Sequence, residues 1–105
     1  MYAVFRETTY SSDFEIRESP EFEEFQRAHA ERPGYKGSIV AAIGGGRYLT
    51  VTLWETAEDM NAARESLGPV VGRLLDPLMA SPSRLLGTGE VTIDDLAYDH
   101  VAVGH

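Results

Sequence analysis

The apolar positions of this chain change period several times, and each change predicts an element. Residues 2–10 mix aromatic, Val and Thr residues in partial alternation, with Tyr2, Val4, Arg6 and Thr8 on one side and Ala3, Phe5 and Glu7 on the other. That pattern predicts a first strand. After the polar stretch "SSDFEIRE", Ser19 is suited to cap a helix, Pro20 to occupy its first position, and Glu21, Glu23 and Glu24 to lie at the positive end of its dipole. Phe22, Phe25 and His29 then recur at spacings of three and four, on one face. Pro33 and Gly34 close the element, which gives a helix over residues 20–32.

The run "YKGSIVAAIGGGRYLTVTLWET" contains two β-rich segments separated by three glycines, which accept positive φ without a Cβ penalty. It predicts a hairpin. Thr56 caps a second helix, with Asp59 three residues on and Met60, Ala63 and Leu67 along one face. "LGP" at residues 67–69 predicts a break. Val70, Val71, Leu74, Leu75, Leu78 and Met79 resume helical spacing beyond it, with Pro77 kinking or dividing this second piece. The last strand is expected over residues 84–94, and the remainder is an arm, an edge strand or a tail. The chain thus divides into one domain, residues 1–95, and a C-terminal arm or tail, residues 96–105.

The order β-α-β-β-α-β is that of two split β-α-β units, which predicts an α+β, ferredoxin-like fold: a four-stranded antiparallel sheet with both helices on one face. In the third strand Leu49, Val51 and Leu53 alternate with Tyr48, Thr50, Thr52 and Trp54. The aliphatic set is the expected helix side. The other set then lies on the uncovered face, where two large aromatics call for a cover, and the simplest cover is the same face of a second copy, closing a dimeric α/β barrel.

Composition narrows the partners. Seventeen acidic residues against nine basic ones leave a net charge of -8, which repels phosphate backbones and anionic headgroups, so neither nucleic acid nor membrane is expected. The chain has no cysteine, which removes disulfides, thiol nucleophiles and thiolate metal sites. The first residues lack the pattern of a secretory signal, and no apolar run approaches the length of a spanning helix; a cytoplasmic protein is expected. At 105 residues, a single domain that dimerises to hide an apolar sheet face fits the size.

Three stretches, "PGYKGS" at 33–38, "LTVTLWETAEDMNAA" at 49–63 and "LGPVVGRLLDPLM" at 67–79, resemble the antibiotic biosynthesis monooxygenase-like proteins of the dimeric α/β-barrel superfamily. The resemblance spans nearly the whole chain. It implies a homodimer that binds a small aromatic ligand, and for one subset a monooxygenase that oxidises phenolic polycyclic substrates with O2 and needs no cofactor. In that subset the tryptophan ending the third strand lines the pocket, and Trp54 matches it; some members carry an asparagine four residues earlier, where this chain has Thr50. Haem-degrading relatives add an asparagine in the first strand and an iron-ligating histidine on the second helix. This chain has neither, since no histidine lies between His29 and His100, so haem is the lesser alternative.

The candidate site residues follow. Trp54 is either a cavity wall that stacks on a flat ligand or a packing residue of the dimer. Tyr48, Thr50 and Thr52 supply hydrogen bonds beside it. His29 is a packing residue or, with an ordinary pKa near 6.5, a general base for a phenolic proton. Arg6, Glu7, Arg64 and Arg73 are candidates to orient a substrate or stabilise an oxyanion, with Arg73, beside an apolar face, placed first. No metal site is expected: His100, His105, Asp94, Asp95 and Asp99 match no established spacing, and the triple glycine lacks the residues of a phosphate loop. Three functions remain open: a cofactor-independent monooxygenase, a non-catalytic small-molecule-binding or structural dimer, and an isomerase or cyclase on the same scaffold.

Overall fold

The computed structural model of the protein describes residues 1–96. His100, His105, Asp99 and nearly all of the expected arm lie outside the described residues. The elements are β1 (Tyr2–Thr9), α1 (Pro20–Ala30), β2 (Tyr35–Gly44), β3 (Arg47–Trp54), α2 (Ala57–Leu74) and β4 (Arg84–Glu90), with short 3-10 turns at Ile16–Glu18 and Asp76–Leu78. The four strands form one antiparallel sheet in the order β2-β3-β1-β4. Both helices cross the same face, α1 over β2 and α2 over β1 and β3. This is the ferredoxin-like α+β fold.

Local chemistry sets the boundaries. The Ser19 hydroxyl accepts the Phe22 N–H at 3.1 Å, and the Thr56 hydroxyl accepts the Asp59 N–H at 3.1 Å, so both helices start where their caps dictate. α1 ends at Ala30, two residues before the expected limit, because Pro33 drives the residue before it out of helical geometry; the Arg32 N–H turns back to the His29 carbonyl at 3.0 Å. Gly44, Gly45 and Gly46 all have positive φ in the β2–β3 turn. β4 is shorter than the expected strand, and it carries a bulge: Phe5 pairs with Gly87 but Arg6 with Leu85, leaving Leu86 as the extra residue.

Two expectations fail here. First, α2 is not broken at "LGP": it runs continuously from Ala57 to Leu74 with Pro69 inside. Pro69 cannot donate to the Glu65 carbonyl, a local loss of the kind that ends many helices. On either side, however, Leu67 and Leu74 are buried against different parts of the core, and that burial holds both halves on one axis. The expected division falls instead at Asp76–Leu78, where Pro77 sits in the opening turn of a 3-10 segment.

Second, the sheet faces the other way. The pairings Tyr2 to Trp54 to Tyr35, Val4 to Thr52 to Ser38 and Arg6 to Thr50 to Val40 form the rows beneath the helices. Trp54 is only 2% exposed and packs with Val4, Met60, Ala63 and Leu67. Tyr48, Thr50, Thr52 and Trp54 therefore face the helices, and Leu49, Val51 and Leu53 line the uncovered face. The cause is the connection: only Glu55 and Thr56 separate β3 from α2, so the first turns of that helix pass directly over the side on which Trp54 stands. Burying an indole also removes more apolar surface than burying a Leu or Val. The uncovered face consequently presents Val51 between Phe5, 40% exposed, and Ile39, 53% exposed, with Glu7 held there by Arg47 and Arg84 at 3.4 and 3.5 Å.

The entry to β2 depends on Gly34. Its φ is +81°, its carbonyl accepts the Glu55 N–H at 2.7 Å, and a Cβ placed on it would collide with the Asp59 side chain. Gly34→Ala should destabilise the fold by about 2 kcal/mol, combining left-handed strain with that collision, as read from the midpoint of urea unfolding.

Candidate functional site

Between the two helices and the sheet lies a cavity of about 520 Å³, within the range that holds small organic ligands. β1 and β3 build its floor: Val4, Arg6 and Thr8 from one strand stand beside Thr50, Thr52 and Trp54 from the other. β-strand alternation places all six on the same face.

One end is aromatic. The Trp54 ring lies 5.8 Å from that of His29 at 34°, and 5.6 Å from that of Tyr35 in an edge-on contact at 75°. His29 is in turn edge-on to Phe25 at 4.4 Å. The Tyr35 hydroxyl pairs with the Ser38 hydroxyl at 2.9 Å, which leaves its ring as a wall. Burial pulls the His29 imidazole down to about 4, only partly opposed by its hydrogen bond to the Phe25 backbone, so at neutral pH it is an uncharged ring.

The other end is hydroxylic. Thr8 and Ser83 hydroxyls pair at 3.0 Å, and Tyr10 stacks on Phe14 at 4.0 Å. Burial, with a smaller contribution from Tyr48, pushes the Tyr10 phenol up to about 12, so it remains a neutral hydrogen-bonding group. Between the two ends stands Arg6, half-buried, with Arg64 of α2 at the rim. Burial foremost, and then the charge of Arg64, lower the Arg6 pKa.

The structure therefore brings together Trp54, Thr50, Thr52 and His29. It places Tyr48 outside this cavity, edge-on to Tyr10 and Phe14 at 5.6 and 6.0 Å, where it supports the wall from behind. Arg73 is also outside: its side chain is exposed and ion-paired to Glu24 of α1 at 2.9 Å. The apolar face beside Arg73 is the contact between α2 and α1, and its guanidinium caps that contact from solvent. Tyr35, Tyr10 and Ser83 line the cavity without having been expected there. The signal for Arg6 was present in the alternation of β1, which puts it on the side of Val4 and Thr8. Glu7, its neighbour, belongs to the opposite face.

Among the described residues no cluster of three or more His, Cys, Asp or Glu is placed to hold a metal, and no helix is long and apolar enough to cross a membrane. No family model matches the chain, and no curated protein matches it in sequence. Solved structures do share its fold. SnoaB, a cofactor-independent oxygenase from Streptomyces nogalater, is 16% identical with a TM-score of 0.66, over 89% of this chain and 93% of that one. A protein named antibiotic biosynthesis monooxygenase is 9% identical with a TM-score of 0.68, over 89% and 100%. MhuD, solved with two manganese protoporphyrin IX molecules per active site, is 22% identical with a TM-score of 0.62, over 90% and 97%. At these identities the likeness establishes the fold and leaves the chemistry to the residues.

The neutral state of His29 has a measurable consequence. Its folded pKa of about 4 lies below the unfolded value of about 6.5, so between these values the unfolded chain binds the additional proton and stability falls as pH falls. From pH 7.5 to pH 5 this group should cost about 2 kcal/mol. Urea unfolding at the two pH values should show that loss, and His29→Phe should show a pH dependence smaller by that amount.

Proposed function

We propose that this protein is a small homodimeric monooxygenase that takes a flat phenolic or polycyclic aromatic molecule into the helix–sheet cavity and oxidises it with O2, without a cofactor. The observation that carries this reading is the aromatic end of the cavity, where the partly exposed rings of His29 and Tyr35 border the space for a planar guest and the buried Trp54 backs them, with Thr50 and Thr52 adjoining. The fold shared with a cofactor-independent oxygenase supports it.

In this reaction the substrate gives a proton to solvent water, and the resulting electron-rich anion passes one electron to O2. The substrate radical and superoxide combine to a peroxide anion, which takes a proton back from water and then loses water, leaving one oxygen atom as a carbonyl while the other departs in that water. His29, near 4, is a poor acceptor for a phenolic proton whose ordinary pKa is about 10, since the transfer would be uphill by about 8 kcal/mol. Its role in this reading is to hold the ring. Ionisation depends instead on groups that stabilise the anion, and the Thr50 and Thr52 hydroxyls are positioned to donate to it.

The residues do not fit a haem centre of the kind the sequence resemblance brings to mind. The α2 residues that line the cavity are Asn61, Arg64, Glu65, Leu67, Gly68 and Val71, and none is an imidazole. The cavity histidine is on α1, edge-on to Phe25 and tilted against Trp54.

An oxygen electrode tests the oxidation. Uptake should follow addition of an anthrone, with the anthraquinone as product, and Trp54→Phe should lower the rate about tenfold through a weaker stacking surface while circular dichroism stays native. Saturable quenching of Trp54 emission by the anthrone without oxygen uptake would leave a small-molecule-binding protein in place of the enzyme.

The dimer rests on the uncovered sheet face, where Phe5, Ile39 and Val51 form one apolar row that a second copy can cover with its own. Sedimentation should give twice the 11.6 kDa chain mass for the wild type, and Ile39→Glu or Phe5→Glu should return it to that of one chain.

A further inference from the structure

Arg6 and Arg64 reach the same cavity from opposite layers, one from the sheet and one from the helix above it. In a chain with seventeen acidic residues and nine basic ones, cations are easily matched, and Arg27, Lys36, Arg47, Arg73 and Arg84 all form ion pairs. Among the described residues Arg6 and Arg64 form neither an ion pair nor a hydrogen bond, and Arg6 lies within the field of the Arg64 charge. Glu65 lies at the same rim and pairs with neither.

Two guanidiniums lining one cavity, one of them half-buried, are costly to keep without a counter-charge. Nothing in the packing requires Arg6 to be charged, since it stands in a row with Thr50 and Val40 where a neutral side chain would serve the sheet equally well. An anion held between them would offset the repulsion, and planar forks suit a carboxylate in particular.

We infer that the cavity binds a fused-ring aromatic acid, with its carboxylate between Arg6 and Arg64 and its rings against His29 and Tyr35, in front of the buried Trp54. This inference rests on the reading of the cavity as an aromatic-binding site, and it adds the charge and size of the ligand. Size follows from β3: Thr50, the cross-strand partner of Arg6, is four residues from Trp54, about 13 Å along the strand, so two or three fused rings span the interval better than one. Charge follows from the surroundings: Glu65 at the rim and a net charge of -8 oppose a phosphate dianion more than a monoanion.

The experiment is a titration of Trp54 emission with 2-naphthoate and, in parallel, with its uncharged methyl ester, for the wild type, Arg64→Gln and Arg6→Gln. Arg64 lies at the exposed rim, so its variant keeps the fold even where the Arg6 variant does not. The expected result is naphthoate binding at least about tenfold tighter than the ester in the wild type. Arg64→Gln should abolish most of that preference and leave ester binding unchanged. Equal affinity for acid and ester, or an acid affinity untouched by Arg64→Gln, overturns the anion site while the aromatic cavity stands. Failure of both ligands to quench overturns the aromatic cavity and this inference together. Because naphthoate is bound here and not oxidised, Arg-dependent binding combined with no oxygen uptake from an anthrone overturns the monooxygenase and leaves the anion site in place.

Discussion

The architecture depends on where one indole is buried. Trp54 ends β3 with Tyr2 and Tyr35 as its cross-strand neighbours, and after only two intervening residues the chain enters α2, which lays Met60, Ala63 and Leu67 over it. That contact decides which face of the sheet the helices cover. Once Trp54 points inward, strand alternation carries Thr52, Thr50 and, through register, Arg6 and Val4 inward as well. The polar groups of the cavity are under the helices because the tryptophan is.

The same constraint explains the surface. Turning the mixed side of β3 inward leaves its aliphatic side outward, so Leu49, Val51 and Leu53 join Phe5 and Ile39 in an uncovered apolar face. A single layer of two helices in a 105-residue chain cannot cover both sides of the sheet. Charged groups guard part of that face, with Glu7 between Arg47 and Arg84 next to the apolar row. In a pairing of two copies such a charge triplet would fix register more than strength.

Much of the fold was legible in the sequence because it rests on local rules. Ser19 and Thr56 cap the helices they mark, the triple glycine turns the hairpin, and the order of elements leads to one antiparallel sheet. What was not legible rests on tertiary choices. Both sides of β3 are apolar enough to be buried, so alternation identifies two faces without saying which faces inward; the two-residue connection to α2 and the volume of the indole decide it. Pro69 punctuates the sequence, but its local effect is outweighed by the burial of Leu67 and Leu74 on either side. Among the arginines, adjacency to apolar residues favoured Arg73, which packs across the helix pair and meets Glu24, whereas Arg64, nine residues earlier on α2, reaches the cavity. Trp54, Thr50, Thr52 and His29 line one cavity, three of them from the face opposite to the one expected.

The core itself is divided. Val4, Trp54, Met60, Ala63 and Leu67 form one buried cluster, and Phe22, Leu74 and Leu75 form another, with Val70 packed against both and the cavity opening between α1, α2 and the sheet. A small domain gives up packing to keep such a space, since unfilled volume forfeits dispersion contacts. The lining shows what that loss secures. His29 is held neutral, Tyr10 is held protonated, and the charged groups that remain are Arg6 and Arg64 with Glu65 at the rim, a net positive lining in a chain whose net charge is -8. A flat, anionic guest would restore the missing contacts to the first cluster and supply the missing counter-charge in one step, so the features that make this region unfavourable as a core are those that make it complementary to a ligand.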